Sequence, residues 1–262
     1  MTTNGYLLNP RVFQKLVNLK VKSFQITVDG GQKYHDKQRI LKNGNGTYER
    51  IISNLLLIQE MIPSDIFIVL RTNVGEENYK FMEEYIHESI INFGKCENIL
   101  FAFHNIGNWG ERNSKIIEKD VRFELASKVI EQGGRTVPFI WSMTASNLCY
   151  ASIKNHYVIG SDGLVYKCTV ALYQANNILG RIGKGGKLLI SENKESLWVN
   201  STETEECKSC SVLPICMNNR CPLKRLNADS LQYCISSKDK TSDMILMLEK
   251  QNLITYEIGI EV

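Results

Sequence analysis

The sequence has 262 residues, of which 43% are hydrophobic and 23% are charged, and its formal net charge is +3. This composition is that of a globular protein, and so small a charge argues against binding to nucleic acid or to an anionic membrane surface. No stretch reaches the roughly 18 apolar residues that a membrane span requires. The N-terminus also lacks the basic start and apolar core of a secretory signal. We therefore predict a cytoplasmic protein, in which eight cysteines do not form a disulfide framework.

The first part of the chain predicts helices alternating with strands. Apolar residues at helical spacing predict a helix over Val12–Leu19, and the alternation over Phe24–Val28 predicts a strand that ends at Asp29. A polar loop is expected over Gln32–Gly46. Thr47 then fits the N-cap of a helix that ends before Pro63.

The alternation continues with a strand over Ile66–Leu70, whose unbroken apolar run predicts burial on both faces. A helix over Glu77–Ile91, a strand over Ile99–His104 and a helix over Glu118–Ile130 follow. Repeated strand–helix units are typical of a parallel sheet with helices packed outside it. The fold class is therefore α/β, either a barrel or an open sheet.

The pattern changes after Pro138, where elements become short and cysteines frequent. A segment of this kind buries too little apolar surface to be stable by packing alone, so a metal is expected to hold it together. A C-terminal helix is predicted over Ser242–Leu253. We divide the chain into a domain over residues 1–140 and a small cysteine-rich domain over residues 141–262.

Seven of the eight cysteines lie in this second domain. Thiolates bind soft metals, and the CxxC of Cys207 and Cys210 places two sulfurs close enough to share one ion. Gly163 is expected to form the turn of a hairpin that leads to Cys168. Iron–sulfur clusters and structural zinc both fit this pattern, whereas Cys96 is expected to be a simple thiol. The predicted metal ligands are Cys149, Cys168, Cys207, Cys210, Cys216, Cys221 and Cys234.

The order and spacing of these cysteines resemble the SPASM domain of radical S-adenosylmethionine enzymes, with one extra residue between Cys216 and Cys221. The resemblance implies two 4Fe–4S clusters. One would be held completely, and the other would have three protein thiolates and an open iron site. The complete cluster would take Cys207, Cys210, Cys216 and Cys234, and the open one Cys149, Cys168 and Cys221.

Two N-terminal stretches, Thr2–Leu8 and Gln25–Gly30 with its following loop, resemble the third and fourth strands of the radical S-adenosylmethionine barrel. The CxxxCxxC motif of that family does not occur in the sequence. The resemblance therefore implies a partial barrel, from about the third strand onward. It would bind S-adenosylmethionine only if the missing segment were supplied, for example by a partner chain.

The resemblance also assigns site residues. Thr27 matches a hydroxyl that contacts S-adenosylmethionine in relatives, and Asp29, Arg71 and Asn73 fall at strand ends, where barrel active sites lie. His104 occupies a similar position, but a structural histidine is the commoner case.

The function implied is that of a truncated radical S-adenosylmethionine/SPASM protein that modifies a peptide or protein, with thioether formation as a specific hypothesis. Thr169 stands where the sulfatase-maturing branch has a catalytic aspartate, which argues against that particular chemistry. This chain by itself is expected to be inactive. The alternatives are a non-catalytic iron–sulfur or zinc-bearing module that binds peptides, and one half of a split enzyme.

Overall fold

A computed structural model describes residues 1–107, 116–117, 119–138, 149–172, 174–199, 208–210, 222–227 and 239–252. They form two compact units. The first contains Met1–Gly107, the described residues up to Pro138 and those from Met247 onward. The second contains the described residues between Phe139 and Leu246. None of the helices in these ranges is long and apolar enough to cross a bilayer.

The first unit alternates strands and helices along the chain. Its strands are β1 (Thr2–Thr3), β2 (Ser23–Thr27), β3 (Phe67–Val74) and β4 (Ile99–Asn105). Its helices are α1 (Pro10–Asn18), α2 (Gln32–Gln38), α3 (Tyr48–Gln59), α4 (Glu76–Tyr79), α5 (Met82–Phe93) and α6 (Arg122–Glu131).

The strands form one parallel sheet in the order β1-β2-β3-β4, which confirms the parallel α/β prediction. After α6 the chain returns to this sheet, where Thr136 forms a parallel bridge with Phe101. Strand–helix connections of this kind bring every strand carboxyl end to the same edge of the sheet.

The two faces of the sheet differ in composition. Alternate residues of β2 and β3, such as Ile26, Ile68 and Leu70, are buried against the helices in one core. Each such side chain contributes about 1.5–3 kcal/mol when fully buried. The residues between them are only half-buried, and Phe67 is 36% exposed. The prediction that this strand is buried on both faces was therefore wrong, because among the described residues helices cover one face.

Several local predictions need correction. The loop expected over Gln32–Gly46 contains α2, and the helix expected over Glu77–Ile91 is divided into α4 and α5. Thr47 is the N-cap residue of α3, but its side chain makes no capping bond. The Asp36 carboxylate accepts the first backbone N–H groups instead, from Thr47 at 2.7 Å and Tyr48 at 2.8 Å.

The second unit is built on a four-stranded antiparallel sheet. Its strands are β5 (Val158–Ile159), β6 (Leu164–Tyr166), β7 (Ile178–Ile182) and β8 (Leu188–Ile190), paired in chain order. Gly163 turns the chain between β5 and β6 with φ +77°, as a turn glycine does. The helices α7 (Glu192–Val199) and α8 (Pro222–Asn227) follow.

A last helix, α9 (Asp239–Lys250), leads back to the first unit. The Lys250 ammonium lies 2.6 Å from the Glu131 carboxylate, and the Gln251 side chain donates to the Thr136 hydroxyl at 2.7 Å. The domain boundaries expected from the sequence placed this segment with the cysteine-rich part. In the structure the residues from Met247 onward belong to the first unit, where these polar contacts join them to α6 and to Thr136.

Candidate functional site

The residues predicted to line a site meet at the carboxyl edge of the parallel sheet. Thr27 pairs in register with Arg71, and Asn73 pairs with His104. Asp29 lies two positions after the end of β2 and contacts Asn73. Because side chains alternate along a strand, the four strand residues lie on the half-buried face, opposite the apolar core.

The buried Asp29 carboxylate is the centre of a hydrogen-bond network at this edge. One oxygen accepts the Asn73 backbone N–H at 3.1 Å and the Asn73 side-chain N–H at 2.9 Å. The other accepts Arg39 Nε–H at 2.6 Å in an ion pair. A buried carboxylate needs such partners, and here they fix the ends of β2 and β3 relative to each other.

His35 ties the loop after β2 to α3. Its Nδ1 accepts the Asp29 backbone N–H at 3.2 Å, and its Nε2 lies 3.0 Å from the Thr47 hydroxyl. That hydroxyl donates its one proton to the Arg39 carbonyl at 2.7 Å, so Nε2 must be the donor to Thr47. The network thus assigns a neutral Nε2–H imidazole. Burial lowers the pKa of His35, the charge of Arg39 lowers it further, and Asp29 and Asp36 oppose this shift only in part.

His104 is also held neutral. Burial lowers its pKa to about 4, and the positive charges of Arg71 and Arg122 act in the same direction. At neutral pH this part of the sheet therefore presents an uncharged imidazole beside the Arg71 guanidinium. Such a surface suits a polar or anionic ligand group, and it does not supply an imidazolium as a general acid.

Two residues of this network were not predicted from the sequence. Arg39 pairs with Asp29 across ten positions of the chain. Asn78 is fully buried, donates to the Asp29 and Asn73 carbonyls at 3.0 and 2.9 Å, and accepts the Gly75 N–H at 2.8 Å. No spacing or motif distinguishes either residue. The only signal in the sequence was a general one: polar side chains near strand ends often form binding or catalytic sites.

The predicted metal ligands fall partly outside the described residues. Cys207, Cys216, Cys221 and Cys234 lie outside them, whereas Cys149, Cys168 and Cys210 are described. Within the described ranges, no group of three or more His, Cys, Asp or Glu side chains is placed to hold a metal. The ligand set predicted from the sequence therefore stays a prediction.

Cys149 and Cys168 nevertheless share one small core. Cys168 is 6% exposed and packs with the fully buried Trp198 of α7 and with Leu223 of α8, and the half-buried Cys149 packs against the same cluster. Leu223 is two positions after Cys221 in the sequence. Two thiols nineteen positions apart in the chain are thus brought into one environment, shielded by apolar side chains.

The loop that carries Cys168 is fixed by one buried side chain. The Asn177 side-chain carbonyl accepts the Lys167 and Cys168 N–H groups at 3.0 and 2.8 Å. Its amide nitrogen donates to the carbonyls of Cys168 and Ala171 at 2.7 and 3.0 Å. The Val170 N–H, in turn, lies 3.4 Å from Cys168 Sγ. An N–H donor at a rigidly held sulfur is what a metal-bound thiolate uses, so this loop fits an iron–sulfur or zinc ligand.

A buried ion pair precedes this loop. Lys167 has no exposed surface, and its ammonium donates to the Ile153 carbonyl at 2.7 Å and to the Glu195 carboxylate at 3.1 Å. Burial opposes ionisation of Glu195. Hydrogen bonds from the Asn155 N–H and Lys167, with the attraction of the Lys167 charge, nevertheless hold the Glu195 pKa below its usual range. The pair joins α7 to the segment before Cys168, and neither residue was predicted.

Tyr150 lies beside the same sulfur. Its hydroxyl is 4.0 Å from Cys168 Sγ and 2.6 Å from the Thr169 hydroxyl, and it accepts the Thr169 N–H at 3.0 Å. Burial raises the Tyr150 pKa above its ordinary value, so the phenol stays protonated at neutral pH. Thr169 stands where the sulfatase-maturing branch has a catalytic aspartate, and here it forms hydrogen bonds with Tyr150.

Comparison with known proteins adds information on the fold. No protein-family profile matches the chain, and no curated protein is similar to it in sequence. Among solved structures, it is similar to native anSMEcpe with bound AdoMet, at 14% identity and a TM-score of 0.55, over 96% of this chain and 73% of that one.

The structure of anSMEcpe with bound AdoMet and the Kp18Cys peptide matches at 13% identity and a TM-score of 0.55, over 96% and 74% of the two chains. The hexahistidine-tagged form with AdoMet gives a TM-score of 0.56 at 14% identity, over 97% of this chain and 72% of that one. These proteins are anaerobic sulfatase-maturating enzymes, which belong to the radical S-adenosylmethionine class. At such low identity the similarity concerns fold, and in fold this chain resembles radical S-adenosylmethionine enzymes.

Proposed function

We propose that the chain is part of a radical S-adenosylmethionine/SPASM enzyme system that modifies a peptide or protein. The observation that carries the proposal is the fold similarity to anSMEcpe, which extends over 96% of this chain. That enzyme has been solved with AdoMet and with bound peptides. Function does not follow from fold alone. The polar sheet edge and the Cys168 loop therefore provide the site-level support.

In this proposal the sheet edge binds S-adenosylmethionine. Thr27 and Arg71 present a hydroxyl and a guanidinium on the half-buried face, next to a neutral His104. The bonds of Asp29 to Arg39 and Asn73 suggest that it holds the edge in place rather than binding the ligand itself. Cleavage of the ligand is assigned to an assembly that also contains the CxxxCxxC site, whether a partner chain or a further segment provides it.

The second unit would hold two auxiliary 4Fe–4S clusters, one on Cys149, Cys168 and Cys221. The support is the shared core of Cys149 and Cys168 and the N–H donor at Cys168 Sγ. Bound clusters supply electron transfer or, at an open iron, a position for a substrate thiolate, which is the basis of the thioether hypothesis. The complete cluster would take Cys207, Cys210, Cys216 and Cys234.

The test is anaerobic purification of the chain with iron, sulfide and zinc measured per chain. Two clusters give about eight irons and eight sulfides, with broad visible absorption. Cys168→Ser should reduce the iron to about four per chain, because it removes a ligand of one cluster only. Cys96→Ser is the matched control, since Cys96 packs against the core of the first unit, and it should keep the full content.

Zinc without iron or sulfide would overturn the redox proposal. The better proposal would then be the second candidate function, namely a zinc-stabilised module that binds peptides without catalysis. It is favoured by the same thiolate spacing, which suits zinc as well as iron. Peptide binding measured by calorimetry, with no electron transfer to or from the chain, would support that candidate.

A further inference from the structure

Among the described residues, the hydroxyl of Tyr150 has three polar contacts, and one of them is with the Cys168 sulfur. Thr169 provides the other two, an N–H at 3.0 Å and a hydroxyl at 2.6 Å. The Tyr150 ring also contacts the His156 ring, with the two centroids 5.1 Å apart and the planes inclined by 38°. The phenol is thus held in place beside Cys168 Sγ, at 4.0 Å.

The direction of these bonds follows from counting protons. The phenol oxygen accepts the Thr169 N–H, and its single proton is available either to the Thr169 hydroxyl or to Cys168 Sγ. A metal-bound thiolate carries negative charge, and charge-assisted hydrogen bonds are the stronger ones. With a metal on Cys168, the phenol proton would therefore go to the sulfur, and the Thr169 hydroxyl would donate its own proton to Tyr150. The three groups would then form a chain of donors that ends at Cys168.

We propose that Tyr150, oriented by Thr169, donates a hydrogen bond to Cys168 Sγ and thereby raises the reduction potential of the auxiliary cluster that Cys168 holds. This inference rests on the proposed function. A reduced cluster carries one more negative charge than the oxidised one, so a donor at a ligand sulfur stabilises the reduced state more. Hydrogen bonds to cluster sulfurs and ligands are among the main determinants of such potentials.

The experiment is a potentiometric titration of the reconstituted full chain, followed by electron paramagnetic resonance. Tyr150→Phe removes the hydroxyl and keeps the ring, so it should leave iron content unchanged and make one of two midpoint potentials more negative. Thr169→Val should shift the same potential in the same direction by a smaller amount, and Thr169→Ser should restore the wild-type value. The other midpoint potential should stay constant throughout.

Tyr166→Phe is the matched control. It deletes the same group from a tyrosine of the same unit, but that hydroxyl bonds to the Asp162 carboxylate at 2.8 Å. Equal shifts in Tyr150→Phe and Tyr166→Phe, or no shift in either, would overturn this inference while leaving the clusters in place. A chain without iron and sulfide would instead overturn the proposed function, so the two failures are distinguishable by metal content.

Discussion

Single buried side chains fix both candidate sites, and Asn177 is the clearest case. Within the part of the chain that the structure describes, it makes four hydrogen bonds, all to backbone groups of the Lys167–Ala171 segment. Removing it takes this partner from the Lys167 N–H, the Cys168 N–H and the Cys168 carbonyl, whereas the Ala171 carbonyl still accepts the Gln174 N–H at 3.0 Å. Each buried group left unsatisfied costs about 1–3 kcal/mol before relaxation and water entry. The conformation of the Cys168 loop thus depends on a side chain that is not itself a predicted ligand or catalytic group.

We therefore expect Asn177→Ala to lower the free energy of unfolding by about 3 kcal/mol. The neighbouring Asn176 is exposed, and its backbone carbonyl accepts the Trp198 side-chain N–H at 3.1 Å, a bond that Asn176→Ala keeps, so this variant is the control. Chemical denaturation followed by tryptophan fluorescence measures both. Similar losses in the two variants would show that the effect belongs to the turn and not to the Asn177 side chain.

The two neutral histidines predict a pH dependence. For both His35 and His104 the folded-state pKa lies below the ordinary value of 6.5, and for His104 it is about 4. At pH values between the folded-state pKa and the ordinary pKa of each histidine, the unfolded chain therefore binds more protons than the folded one. Stability from this source is fully present above pH 6.5 and is lost as the pH falls.

Between pH 7 and pH 5.5, the free energy of unfolding should decrease in wild type and decrease less steeply in His35→Gln and in His104→Gln. The slope against pH is the quantity to compare, because each substitution also changes the absolute stability. His87, exposed on α5, provides the matched substitution. A slope reduced as much by His87→Gln as by the other two would contradict the assignment of buried neutral imidazoles.

At the scale of elements, the β5–β6 hairpin depends on the backbone conformation of Gly163 as well as on the hydrogen bonds of Asp162. Gly163 has φ +77°, and a Cβ added there would meet no atom within 4 Å. Any cost of Gly163→Ala is therefore conformational, about 1–2 kcal/mol for a non-glycine residue in this region. Gly31 also has open space but φ −60°, so Gly31→Ala should cause no loss. Thermal unfolding of both variants tests this, and equal destabilisation would refute it.

The elements also show what sequence patterns can and cannot predict. The position of Thr27, Arg71 and Asn73 at one edge of the sheet was predictable, because the carboxyl ends of parallel strands lie at a common edge. The α2 helix was not, because Gln32–Gln38 has no apolar periodicity and is held by polar bonds to neighbouring segments. Asn177 and Asn78 were missed for a related reason. Their partners are backbone groups, and backbone groups leave no pattern in the sequence.

At the scale of the whole molecule, the C-terminal segment is joined to the first unit by a few polar contacts. Gln251 donates to the Thr136 hydroxyl at 2.7 Å and to the Val137 carbonyl at 3.2 Å, and Lys250 pairs with Glu131. Thr136 is the residue at which the chain rejoins the parallel sheet. The contacts thus hold the Thr136 bridge, which lies after β4 in the chain, at the edge of the sheet.

Gln251→Ala should lower the free energy of unfolding of the first unit by about 1 kcal/mol, the net value of hydrogen bonds of this kind. Protection of the Phe101 and Val137 amides from hydrogen exchange should decrease with it, because both bond across this edge. Glu249→Ala, at an exposed position of α9, is the control. Unchanged protection in Gln251→Ala would show that the sheet edge does not depend on the C-terminal segment.

The Asn177 hydrogen bonds also bear on the order in which parts of the chain fold during synthesis. They join residues only six to ten positions apart, and loops of about that size close in about 10–100 ns. Synthesis proceeds at about 5–20 residues per second, so the interval between Cys168 and Cys234 is on the order of seconds. We expect the Cys168 loop to form on the ribosome long before the last proposed ligand is made. The order in which iron ligands become available would then follow the direction of translation.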